Sequence, residues 1–287
     1  MNSIKRTKVQ NNIFGWLFIA PQMLGLIAFV LLPACIALYL CFAHWDIINP
    51  PTFVGFENFK TVFTDERFSK TIVNTVVFVV GIVPLTLICA LVLAVLARNT
   101  LKLQKVYKAS LFVPMITSTV AVSLVWYWIY AQDFGILNAC LSLFGIPQIN
   151  FLRNEFWAKP AIILMCVWRG VGYSFLILLA AICNVPKDYY EAADLDGAGE
   201  VKKFFSITFP DISPVIFFVL VTSFISTFGI FNESYMLTNG GPNYQTYTMM
   251  YYVYNYAFRY NADGSGMGIA AVAALIMAFF QVLVTVI

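Results

Sequence analysis

Arg169 stands alone as a charge inside an otherwise uncharged apolar run, residues 160–183. At 1.5 Å per residue from Lys159 it lies about 15 Å deep, near the midplane of a bilayer whose hydrocarbon core is about 30 Å thick. A charge there costs about 2.5–3.5 kcal/mol on insertion scales, so it must face protein or a water-filled cavity. Two roles are open: a structural pair, with Glu233 as the available acid, or a hydrogen-bond donor to a polar solute. On the next apolar run Ser223, Ser226 and Thr227 recur at helical spacing, and Thr227 is ten residues from Leu237, a similar depth. Such hydroxyls either glue helices together or line a polar pocket.

The other concentration of chemistry is the stretch from Val185 to Pro210, where five acids and three bases interrupt an apolar chain. Pro186 suits a first helical turn and Gly197 suits a helix C-cap, which predicts a short helix, a turn and a second helix re-entering the membrane. Two acidic clusters imitate calcium loops, Asp194-Leu-Asp196-Gly and Asn261-Ala-Asp263-Gly-Ser-Gly, but neither is followed by a bidentate Glu at the spacing such a loop needs. A single histidine, His44, leaves zinc or copper almost without ligands, and no metal site is expected. No G-x-x-x-x-G-K-[ST] occurs, so the chain has no phosphate cradle of its own. Gly264-Ser-Gly-Met-Gly268 is not one either, because no strand precedes it.

The elements that must position these groups follow from composition. Hydrophobic residues make up 61% and charged residues 11% of 287, against roughly 45–50% and about 25% in a soluble domain. Thirty-one charged side chains cannot cover a water-facing surface, so the solvent of most of this chain is lipid. A net charge of +3 is too small and scattered for a nucleic-acid footprint. Runs long enough to cross a bilayer occur at 13–43, 71–97, 109–131, 160–183, 206–237 with its uncharged part at 212–232, and 266–287. No dyad alternation suggests a barrel, so the fold class is all-α with six transmembrane helices. Pro21, Pro33, Pro84 and Pro114 are expected to kink spans rather than end them. Cys35, Cys41, Cys89, Cys140, Cys166 and Cys183 form no C-x-x-C pair, and the five inside apolar runs are expected to be membrane-buried small hydrophobes. The first apolar run is twice the length of a signal's hydrophobic core and is expected to be retained. Residues 1–12 then form an N-terminal segment outside the membrane, and 13–287 one transmembrane domain.

Ten Lys and Arg fall at the N-terminus, in 98–108 (Arg98, Lys102, Lys105, Lys108) and in 184–205; six (Lys60, Arg67, Lys70, Arg153, Lys159, Arg259) fall on the other side. This bias places both chain ends in the cytoplasm. The uncharged stop at Ile287 suggests a short tail beyond it. A self-sufficient secondary carrier would need coupling acids at the midplane, whereas Asp211 and Glu233 sit near opposite ends of one run. A membrane enzyme would need a nucleophile with a base or paired carboxylates within the spans, and none is there.

Glu191-Ala192-Ala193, three residues, Gly197, nine residues, Ile207, one residue, Phe209, Pro210 resembles the EAA signature of ATP-binding-cassette importer permeases. The departure is Phe209, where the family usually has Leu. The resemblance extends along most of the chain. Trp45, Pro51 to Phe59, Asn74-Thr75, Phe112-Val-Pro114, Gly135-Ile-Leu-Asn138 and Leu237 to Pro242 are similar to the carbohydrate-uptake branch, the maltose-type and glycerol-phosphate-type permeases.

The resemblance implies a type I importer permease fold, in an inner membrane of a prokaryote, whose loop between spans four and five (185–205) is a cytoplasmic coupling helix. Glu191, Ala192, Ala193, Asp196 and Gly197 would then contact an ATPase subunit. Gly197 would let two short helices meet closely, and Glu191, near a helix start, would pair with a basic group or backbone donor. Implied partners are a second homologous permease, two copies of the ATP-binding subunit and an extracytoplasmic solute-binding protein. ATP and Mg belong to the ATPase, and no cofactor is expected on this chain, which is not an enzyme. The resemblance also implies a solute pocket at Arg169, Gly170, Tyr173, Ser223, Ser226 and Thr227, with Tyr173 stacking on a sugar face. The solute is a sugar or oligosaccharide, with glycerol-phosphate as the alternative.

Overall fold

Lipid offers a backbone no hydrogen-bond partners, so apolar runs of this length must be helical, and they are. The computed structural model describes residues 2–98, 104–260 and 265–286. In chain order come α1 Asn2–Leu26, a π-helical turn Ile27–Leu31, α2 Leu32–Leu40, β1 Ala43–His44, β2 Thr52–Phe53, α3 Glu57–Thr64, α4 Glu66–Arg98, α5 Gln104–Ile116, α6 Thr119–Ile129, α7 Ile136–Ser142 and α8 Ala158–Asn184. Then follow α9 Lys187–Leu195, α10 Glu200–Lys203, a second π-helical turn Phe204–Thr208, α11 Phe209–Phe228, α12 Asn232–Thr238, α13 Met249–Phe258 and α14 Gly266–Val286. Lys102, the turn at Asn261–Gly264 and Ile287, all used above, lie outside the described residues.

Among the described residues five stretches are long and apolar enough to cross a membrane unbroken: Phe14–Leu40, Glu66–Arg98, Ala158–Asn184, Glu200–Phe228 and Gly266–Val286. The expected third span differs. It is a pair, Ala109–Ile116 and Thr119–Ile129, bent by 106°. The break falls at Thr117 and Ser118 (φ −53, ψ 130), so the chain after Pro114 turns a corner where a kink was expected. Pro21 and Pro84 do sit within continuous helices.

Two prolines explain the two π-helical turns. A proline has no N–H and its ring collides with the carbonyl four residues back, which for Pro33 is that of Phe29 and for Pro210 that of Ser206. Each lies in the π-helical turn just before its proline, where Leu32 N–H bonds Ile27 O and Phe209 N–H bonds Phe204 O, five residues back. The wider turn absorbs the clash without ending the span. At Pro214 the freed carbonyl of Pro210 is instead taken by Ser213 Oγ at 2.8 Å.

The chain divides into two compact units, Met1–Thr64 with Val253–Leu275, and Asp65–Tyr252 with Ile276–Ile287. In the first, the span Phe14–Leu40 keeps nearly all its apolar side chains on the outside, as a lipid-facing helix does. Its last carbonyls have no intrahelical partner. Asn58 supplies one, its Nδ2 standing 3.4, 3.2 and 3.1 Å from the oxygens of Leu40, Cys41 and Ala43. Gly268 lies against this cap, where a Cβ would collide with the Asn58 amide. The Pro51 to Phe59 segment therefore has a structural reason: it delivers the cap.

In the second unit α4 packs along α8, with Phe78, Ile82, Met165, Phe175, Leu178 and Leu179 buried together and joined by Ile212 and Val219 of α11. α5 crosses α8 at Gly172, where an added Cβ would run into the Leu111 carbonyl. Asn138 closes the turn after α6 by donating to Ala131 O (3.3 Å), Gln132 O (3.2 Å) and Ile149 O (2.9 Å) and accepting from Ile149 N–H (2.9 Å). Asn74 and Thr75 hold the segment after α12, Nδ2 of Asn74 donating to Tyr244 O (2.7 Å) and Tyr247 O (2.9 Å) while Thr75 Oγ1 accepts from Met249 N–H (3.1 Å). The cysteines are free, and Cys35, Cys89, Cys140 and Cys183 are exposed on the chain, Cys166 half-buried and Cys41 buried.

Candidate functional site

The expected fifth span breaks at Gly229. α11 ends at Phe228, Phe231 adopts φ −140 and ψ −58, and α12 starts a new direction at Asn232. The break leaves carbonyls without helical partners, and Thr248 Oγ1 donates to Ile230 O at 2.7 Å. Non-helical backbone is tolerated at membrane depth where it is buried in protein or lines a cavity. Here it lines one. A cavity of about 600 Å³ opens among α4, the α5/α6 corner, α8, the end of α11 and the start of α12.

All six expected pocket residues, Arg169, Gly170, Tyr173, Ser223, Ser226 and Thr227, line this cavity. Thr227 gets there differently from the expectation: it sits one residue from the end of α11, so its depth does not follow from a continuous helix running to Leu237. Its hydroxyl donates to Ser223 O at 2.7 Å and Ser226 Oγ to the same oxygen at 3.0 Å, so both donors are used within the helix and both oxygens keep lone pairs to offer.

The two readings of Arg169 are not alternatives. Its Nη1 stands 3.4 Å from Glu233 Oε1, and both residues line the cavity. Glu233 belongs to α12 rather than to the span, and the break at Gly229 brings it back over α8. Sequence reasoning did not assign Thr86, Thr119, Thr222, Asn232 or Glu233 to the pocket. Gly229 followed by Asn232 and Glu233 inside an apolar run was the available signal for the break; Thr86, in the middle of an uncharged span, carried none.

The loop after α8 folds as its residues require. Pro186 caps α9, and Gly197 takes φ +70. Ala198 N–H bonds Ala193 O (2.9 Å) and Gly197 N–H bonds Asp194 O (3.1 Å), a Schellman closure that needs a left-handed residue at Gly197. Among the described residues nothing lies within 4 Å of a Cβ built there, so the glycine serves backbone conformation, not the close helix approach expected. Glu191 is the fifth residue of α9, and Asp188 holds the first turn. Glu191, Ala192, Asp196 and Gly197 face outward and Ala193 is half-buried.

The inner face of α9 is anchored. Tyr190 is buried, its OH 2.7 Å from Thr208 Oγ1, with the Arg98 guanidinium 3.7 Å from its ring centre. Lys203 Nζ bonds Asp194 Oδ1 (2.5 Å) and Glu200 Oε1 (2.7 Å), joining α9 to α10. On the outer side Tyr189, Ala192, Ala193, Asp196, Ile207, Pro210 and Asp211 border a shallow groove.

Residues 82–287 match the family model described as the binding-protein-dependent transport system inner membrane component. The chain belongs to this family. It is 37% identical to the probable ABC transporter permease protein YesP of Bacillus subtilis over 97% of this chain and 90% of that one. The lactose transport system permease protein LacF of Rhizobium radiobacter is 35% identical, over 86% and 84% of the two chains. The sn-glycerol-3-phosphate transport system permease protein UgpA of Yersinia pestis is 32% identical, over 85% and 83%. A bacterial ABC transporter that imports the acidic polysaccharide alginate contains a chain of the same fold, with a TM-score of 0.83 at 23% identity over 96% and 94%. The protein is thus a multi-pass membrane permease of the type I importer fold.

Proposed function

We propose that this permease carries a sugar or oligosaccharide into the cytoplasm through the cavity around Arg169, driven by ATP that other subunits hydrolyse. The observation that carries the proposal is the broken helix at Gly229, which turns polar groups of α8, α11 and α12 toward one space in an otherwise apolar chain. A sugar presents hydroxyls that both donate and accept, with apolar ring faces between them. The cavity offers acceptors at Ser223, Ser226 and Thr227, donors at Arg169, and the half-exposed ring of Tyr173. Transport systems for lactose and for arabinooligosaccharides among the relatives support the solute class.

In the same proposal α9 is the coupling helix. Its outward residues Glu191, Ala192, Asp196 and Gly197, with Ala193 behind them, enter a cleft of a cytoplasmic ATPase, two copies of which serve this chain and a second homologous permease. The anchors at Tyr190 and Lys203 suit that task, because force applied to α9 passes into α4 through Arg98 and, through Thr208, into the π-helical turn that leads to α11. ATP and Mg bind on the ATPase. An extracytoplasmic solute-binding protein delivers the solute to the face opposite α9, and the Lys and Arg bias places both termini with α9 in the cytoplasm.

The test is reconstitution. The permease pair, ATPase and binding protein in proteoliposomes should take up a labelled sugar only when ATP is inside and binding protein outside. Uptake by this chain without either component would make it a self-sufficient carrier.

A further inference from the structure

Three hydroxyls around the cavity donate within their own helix: Thr222 to Phe218 O at 2.8 Å, and Ser226 and Thr227 to Ser223 O. Two buried polar atoms there have no hydrogen-bond partner among the described residues, Thr86 Oγ1 and Arg169 Nε. Thr86 is 3% exposed, in the middle of α4. Gly170, next to Arg169, packs beside Thr86: a Cβ there would stand 3.4 Å from its Cγ2 and 3.8 Å from its Oγ1. A buried donor and a buried acceptor left unmet are unfavourable unless something in the cavity meets them.

The charge of the cavity narrows what that is. Arg169 is matched by Glu233, and no other charged residue among those described lines the space, so the net charge of this lining is zero. A phosphate or carboxylate entering it would find no uncompensated cation and would face the Glu233 carboxylate. We infer that Thr86 Oγ1 and Arg169 Nε form a hydrogen-bonding subsite for one hydroxyl of a neutral sugar, and that Glu233 sets the preference against anionic solutes. The hydroxyl accepts from the Nε–H and donates to the threonine oxygen, a pair of bonds that a carboxylate or phosphate group, having only acceptors, cannot make. The inference rests on the proposal that solute passes through this cavity, and it assigns the solute's charge class and gives roles to Thr86 and Glu233, which the proposal does not use.

The test uses the complete complex in nanodiscs for binding and in proteoliposomes for uptake, with maltose, lactose and raffinose as neutral probes and digalacturonate and glycerol 3-phosphate as anionic ones. The expected result is that wild type binds and takes up a neutral probe and neither anionic one. Thr86→Val, the same shape without the hydroxyl, should weaken that binding by roughly 5- to 150-fold, the range for one buried hydrogen bond. Thr86→Ser should restore it, which separates lost recognition from lost folding. Glu233→Gln should shift the preference toward the anionic probes. A complex that takes up a neutral probe equally well with Thr86→Val overturns the subsite alone. Binding of an anionic probe by wild type overturns the charge assignment. Uptake of none of the five overturns the carbohydrate proposal and the subsite with it.

Discussion

Gly197 offers a measurable link between one backbone angle and ATP-driven transport. Its φ of +70 closes α9 by the two bonds from Ala198 and Gly197, and no atom of the described residues lies within 4 Å of where a Cβ would be. Within this chain substitutions there therefore act through backbone conformation. An L-residue in the left-handed region costs about 1–2 kcal/mol; Asn tolerates it better, and a β-branched residue worse. A shift of 1–2 kcal/mol lowers the population of the closed turn about 5- to 30-fold. The expected order of damage is Gly197→Asn, then Gly197→Ala, then Gly197→Val. The assay is binding of the ATPase subunit to the purified permease pair, alongside solute-stimulated ATP hydrolysis and uptake in proteoliposomes. Both activities should fall in that order, while the ATPase alone hydrolyses ATP as before. Equal, complete loss in all three variants would show that the site rejects bulk, contrary to the open space around it. Unchanged coupling in Gly197→Val would remove α9 from the transmission path.

Gly172→Ala should act by bulk instead, since the new methyl would meet the Leu111 carbonyl, a backbone atom that cannot swing aside; the folded complex should lose at least about 1–3 kcal/mol, seen as a lower thermal transition. Asn74→Ala strips two donors from the carbonyls of Tyr244 and Tyr247, at about 1–3 kcal/mol for each acceptor left buried, and should make the segment 239–248 an early site of protease cleavage in an otherwise folded protein. Lys203→Met should cost only about 1 kcal/mol or less, because Asp194 and Glu200 are 61% and 83% exposed and water replaces the lysine; loss of the folded complex would refute this. Single cysteines at positions 60 and 153 should react with an impermeant reagent on intact cells and one at 202 only after permeabilisation; labelling at 202 from outside would invert the topology.

Composition and local pattern determined the solvent, the fold class and the family. Lipid burial demands long uncharged runs, and such runs are visible one residue at a time. The loop chemistry was equally local: Pro186 and Gly197 bounded α9 because a cap depends on φ and on bonds within a few residues. Arg169 announced itself because a midspan charge is costly whatever surrounds it.

What the chain does between its helices was decided by tertiary contacts. The breaks at Thr117 and Gly229 occur in runs as apolar as the unbroken ones, and the second persists because Thr248, eighteen residues on, takes the freed carbonyl of Ile230. That break returns Glu233 to Arg169 and makes a pair and a pocket out of what looked like alternatives. Asn58, Asn74 and Asn138 look alike as lone amides in a sequence; each closes a different helix end or turn, through partners whose distance along the chain runs from six to 173 residues. Thr86 was invisible for the same reason. A hydroxyl in an apolar span usually bonds its own helix, and only the packed structure shows that this one has no partner among the described residues and belongs to the lining of the cavity.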